Sequence, residues 1–135
     1  MARQGTQTAR PDGDKLSVTL EPGPAGAATS RRAVRTRLAE LGVAGEQADD
    51  ILLVTSELVT NAIEHGSGAV RLELGHDDRG LELRVYDNNS RPPVLRVGDS
   101  LAARSRGLRL VETLSTAWGS EPLPGGKCVW ARFAR

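Results

Sequence analysis

Two adjoining segments constrain the fold most. Residues 69–77, AVRLELGHD, and residues 80–87, GLELRVYD, each alternate apolar and polar side chains. A period of two sends alternate side chains to opposite faces of a strand. The intervening HDDRG, residues 76–80, is hairpin-turn chemistry. The middle of the chain therefore encodes an antiparallel pair with one apolar face, and that face needs a cover.

Helical segments supply the cover. In residues 25–41, Ala33, Val34, Leu38 and Leu41 recur at helical spacing, and Gly42 stops the run. A second helix is expected from 45–46 to 65, with Gly66 as its C-cap. A third is expected over about 105–115, through Leu108, Leu110, Val111 and Leu114. KLSVTLEP alternates at Leu16, Val18 and Leu20 and reads as a strand ended by Pro22 and Pro24. AWGSEPLPGGKCVWARF reads as two short strands around a Pro-Gly turn. The order β-α-α-β-β-α-β-β lacks regular βαβ alternation, which disfavours a doubly wound parallel sheet. The expectation is an α+β two-layer sandwich: a mixed, largely antiparallel sheet with three helices on one face. Residues 1–14 read as a disordered polar tail, and residues 15–135 as a single domain.

Composition narrows the function. A length of 135 residues suits one domain with one core. A net charge of +1 supplies no global field toward nucleic acid or membrane. The only aromatics are Tyr86, Trp118, Trp130 and Phe133, too few for a base-stacking platform. Cys128 is the sole cysteine, which excludes an intrachain disulfide and a multi-cysteine metal cluster. No apolar run approaches the roughly 20 residues that span a bilayer. MARQGTQTARPDGD has no apolar core for a signal peptide. A cytoplasmic protein without direct nucleic-acid or membrane binding is expected.

The second helix carries the chemistry. Ile51, Leu52, Thr55, Leu58, Val59, Ala62 and Ile63 share one broad face. Asp50, Glu57, Asn61 and Glu64 share the opposite one. Such a stripe is either a solvated outer face or the wall of a site. It holds no Lys or Arg between Asp50 and His65, so it gains nothing from helical ion pairs. Carboxylate and amide oxygens are the ligands that Mg²⁺ prefers. Downstream, LRVYDNN brings Asp87 to a strand end before a proline-containing loop. SRGLRLV then opens a helix with Gly107 in its expected first turn, where free N–H groups would suit a phosphate.

ELVTNAIEHG, VYDNNSRPP, SRGLRLVETLSTAWG and GKCVW, in that order, resemble the motifs of the serine-kinase type of anti-sigma factor. That family lies within the superfamily of ATPases that includes gyrase and the histidine kinases. The resemblance spans about residues 16–133 and implies the histidine kinase-like ATPase (Bergerat) fold. It implies ATP and Mg²⁺ as cofactors and a serine/threonine kinase activity toward a small anti-sigma antagonist protein, with a sigma factor as the other partner and a homodimer as an assembly to be considered. By resemblance Glu57 is the catalytic base, Asn61 holds Mg²⁺, and Asp87 accepts from the adenine amine. Gly107 and Leu108 offer backbone N–H groups to the phosphates, and His65, Asn89, Ser105 and Arg106 complete the nucleotide site. Asn89, Ser105 and Cys128 stand where the family commonly has Gly, Gly and Thr. The alternative on the same fold is a non-catalytic protein-binding regulatory module with weak or no ATP binding.

Overall fold

The computed structural model describes residues 15–91 and 102–134. The tail assigned to 1–14 and most of the loop after Asp87 lie outside the described residues. The elements are β1 (Leu16–Leu20), α1 (Pro24–Glu40), α2 (Gly45–His65), β2 (Val70–His76), β3 (Gly80–Asp87), α3 (Ala102–Leu114), β4 (Ala117–Leu123) and β5 (Gly126–Ala134).

The five strands form one sheet in the order β1-β2-β3-β5-β4, every neighbouring pair antiparallel. Among the described strands the sheet is thus wholly antiparallel rather than mixed. After α3 the chain enters at the edge as β4, and β5 turns back between β4 and β3. The β2–β3 turn is fixed by Asp77, whose Oδ1 accepts the backbone N–H groups of Arg79 at 2.8 Å and Gly80 at 3.1 Å.

Helix α2 lies against β2, β3 and β5, with α1 and α3 packed on it. Its buried side chains include Ile51, Val54, Leu58, Val59 and Ala62. Buried Thr55 satisfies its hydroxyl within the helix by donating to the Ile51 carbonyl at 2.8 Å. In α1, Gly26, Ser30, Val34 and Leu38 form a buried row at a spacing of one turn. The sheet answers with Leu72 and Leu74 of β2, Leu83 and Val85 of β3, and Ala131 of β5, all buried. Each large aliphatic side chain so enclosed contributes about 1.5–3 kcal/mol.

The opposite sheet face carries charge. Tyr86 donates to Glu73 at 3.0 Å beneath the Arg71 guanidinium, 4.0 Å from the ring centroid. Arg84 and Arg132 reach Glu82 at 2.6 and 2.7 Å. An antiparallel sheet covered on one face leaves the other for such polar pairs.

Helix α3 begins at Ala102, earlier than the expected 105. The stretch AAR is strongly helix-forming and extends the helix N-terminally. Gly107 consequently sits in the second turn.

Candidate functional site

Within the polar stripe of α2, Glu57 faces α3. Glu57 and Asn61, one turn apart, are half-buried, while Glu64 is exposed. Gly107 of α3 packs directly on the Glu57 carboxylate: a Cβ there would collide with Oε1. Only glycine leaves that carboxylate where it is. Burial, and secondarily the like charge of Glu64, push the Glu57 carboxyl above its ordinary 4.5. The raised value makes Glu57 a stronger base than a free carboxylate.

The relocated start of α3 changes the expected phosphate cradle. The free amides of a helix are its first four. Here they belong to residues 102–105, which include Ser105. The amides of Gly107 and Leu108 fall within the helical ladder, so neither offers the free N–H expected of it. Leu108 is instead a buried packing residue. Arg106 lies in the same helix.

Asp87 lies beyond the other end of the stripe. About 14 Å of helical rise separates Glu57 from Gly66. Gly66 is the C-cap of α2, as expected: its N–H donates to the Ala62 carbonyl, and its backbone is extended, with φ −91° and ψ 179°. Its glycine is required by space: a Cβ would come within 2.9 Å of both the Ala62 carbonyl and Asn88 Oδ1, and 3.5 Å of Asp87 Cβ. Asn88 ties the end of β3 to Ser67, accepting its N–H at 2.7 Å and donating to its carbonyl and hydroxyl oxygens. Asn89, at the family's glycine position, donates to the His65 carbonyl at 2.7 Å and accepts the Arg91 N–H at 2.9 Å. His65 thus enters through its backbone. Asn89 acts as a clamp between the β3 exit and the α2 terminus.

The Asp87 side chain is only 2% exposed and forms an ion pair with Lys127, itself 5% exposed. The Lys127 ammonium is 3.1 Å from both carboxylate oxygens and donates to the Asn89 carbonyl at 3.0 Å. Oδ1 also accepts the Asn89 N–H at 2.8 Å. Register explains the pairing. Asp87 is opposite Lys127 in the β3–β5 ladder, on the helix-facing side with Val85, Val129 and Ala131.

Lys127 is a residue of this corner that no motif in the sequence marks. Its alternation with Val129, Ala131 and Phe133 was the available signal. The same alternation places Cys128 on the opposite sheet face, buried beside Arg84 and Tyr86. Burial pushes its thiol up to about 11. Its replacement of the family's Thr therefore falls on the charged face of the sheet, away from Asp87.

The acid–amide end suits a magnesium nucleotide by its donor chemistry. Among the described residues no group of three His, Cys, Asp or Glu side chains gathers to enclose a metal. A cation held by Asn61, phosphate oxygens and water requires no such group. At the other end, the Asp87 carboxylate is already engaged.

No curated protein sequence matches the chain. Among solved structures, the RsbU and RsbW domains of Rv1364c from Mycobacterium tuberculosis superpose with a TM-score of 0.70 at 24% identity. That match covers 90% of this chain and 33% of the other, so the chain spans about a third of that protein's structure. The SiaB–SiaC complex from Pseudomonas aeruginosa matches with a TM-score of 0.64 at 14% identity, covering 87% of this chain and 88% of the other. At these identities the likeness establishes the fold. Residues 20–133, from the end of β1 almost to the end of β5, match the histidine kinase-like ATPase domain. With an acid–amide helix, a strand-terminal aspartate and a glycine-bearing third helix in that order, the chain belongs to the histidine kinase-like ATPase domain family.

Proposed function

We propose that the chain is an ATP-dependent protein serine/threonine kinase of the anti-sigma factor type. The observation carrying this reading is the Glu57 carboxylate, seated on Gly107 and held above its ordinary pKa. Bound ATP with Mg²⁺ would supply the transferable phosphoryl group and neutralise its developing charge. Asn61 would hold the cation. Glu57 accepts the proton of the incoming serine or threonine hydroxyl at a carboxylate oxygen. Ser105 and its neighbours in the first turn of α3 carry the free amides that would hold phosphate oxygens. In this reading a small antagonist protein is the phosphoacceptor and a sigma factor the alternate partner; the likeness to the SiaB–SiaC complex, two proteins joined on this fold, supports a protein partner. The protein acts in the cytoplasm, alone or as a homodimer.

The test is transfer of labelled phosphate from ATP to candidate antagonist proteins by wild type and Glu57→Gln. Loss of a general base lowers the rate by about 10²–10⁴-fold. Equal rates would remove Glu57 from the chemistry. A second reading, a non-catalytic binding module, is favoured by the Lys127–Asp87 pair, which engages the side chain expected to read the base. Tight partner binding without transfer by either form would establish it.

A further inference from the structure

We propose that Lys127 is a specificity-determining residue at the Asp87 end of the proposed nucleotide site. By pairing with Asp87, it leaves the chain with little preference for the exocyclic amine of adenine. This deepens the nucleotide-binding reading above and rests on it.

A carboxylate selects an amine by offering a free lone pair. Asp87 Oδ1 already accepts the Asn89 N–H at 2.8 Å and the Lys127 ammonium at 3.1 Å. Oδ2 lies 3.1 Å from the same ammonium. A carboxylate has about four acceptor positions; these contacts engage three, and access decides the one left. With the side chains only 2% and 5% exposed, a base edge reaches Oδ2 only if Lys127 leaves. Leaving would separate a buried ion pair and break the bond to the Asn89 carbonyl. A single hydrogen bond from a neutral amine returns less than a buried pair loses. Lys127 is also held by its backbone: it sits in β5 directly opposite Asp87.

Selection of a hydrogen-bonding group is strong only when its absence leaves a buried partner unsatisfied. In this chain the partner stays satisfied whichever purine is bound. Lys127→Gln removes the charge and retains an amide donor for Asp87, so the carboxylate gains an open position without losing every partner.

The experiment titrates wild type and Lys127→Gln with the Mg²⁺ complexes of ATP and of purine riboside triphosphate, which lacks the 6-amino group. Calorimetry gives the affinities, and circular dichroism verifies the fold. The expected wild-type ratio is within about threefold, because the amine finds no acceptor. In Lys127→Gln, ATP binds roughly tenfold or more tighter than the analogue. A wild-type preference of tenfold or more for ATP overturns the proposal, as does an unchanged ratio in a folded variant. Both outcomes leave nucleotide binding itself intact. Absence of binding to either form overturns this proposal and the kinase reading together. If Lys127→Gln does not fold, the wild-type ratio decides alone.

Discussion

Two carboxylates, Glu57 on α2 and Asp87 at the end of β3, stand in opposite surroundings. Glu57 is half-buried, and among the described residues no cation is paired with it; the charge that acts on it, after burial, is another acid, Glu64. Asp87 is sealed, and its charge is answered by Lys127 and by the Asn89 amide. The first arrangement destabilises the charged form and creates a base. The second sets a counter-ion against the carboxylate and fixes a backbone corner where β3, β5 and the end of α2 meet. Reactivity in this fold follows from what each acid lacks, not from the residue type.

The largest effect expected from this contrast is on stability at the paired end. Asp87→Ala leaves the Lys127 ammonium buried without its counter-charge and should cost about 3–5 kcal/mol. Glu57→Ala removes no ion pair and should change stability by under about 1 kcal/mol. Urea titrations of both variants measure the difference, and similar losses would erase the contrast.

Gly107→Ala sharpens it at the other end. The added Cβ must displace the flexible Glu57 carboxylate, while alanine favours the helix by roughly 0.5–1 kcal/mol. The expected outcome is a protein no less stable than wild type whose phosphate transfer is roughly 10–100-fold slower. Undiminished transfer would show that the position of the Glu57 carboxylate is immaterial.

The smallest effect is the pH dependence of stability. The native Glu57 carboxyl holds its proton to a higher pH than the unfolded one, ordinarily 4.5. Between those two values the folded state binds more protons, so wild-type stability falls as pH rises through the window. Glu57→Gln has no such fall. It should therefore gain up to about 1 kcal/mol above the window and nothing below pH 4.5. Parallel stability–pH curves would exclude a raised Glu57.

Much of this architecture is legible in the sequence because local periodicity and core position coincide. The span of α2, the alternation of β2 and β3, and the Asp77 turn all follow from short-range pattern. The acid–amide stripe was visible for the same reason. What was hidden depends on tertiary register. Nothing local states that Lys127 lies across from Asp87, since that requires β5 to return beside β3. Alternation within β5 does separate Lys127 from Cys128, but only the sheet shows which face meets the helices. Gly66 and Gly107 read locally as helix punctuation. Their actual constraint is the close approach of Asn88 and Glu57 from other elements. The start of α3 precedes the expected 105 because residues 102–104, AAR, are themselves strong helix formers.

The central claim is that Glu57 is the base and Asp87 is not. The most direct measurement is the pH–rate profile of single-turnover phosphate transfer from Mg-ATP to an antagonist protein. The wild type should lose rate on the acid side with an apparent pKa above 4.5. Glu57→Gln should transfer more slowly and lack that limb. An acid limb of the same position in both forms would contradict the account.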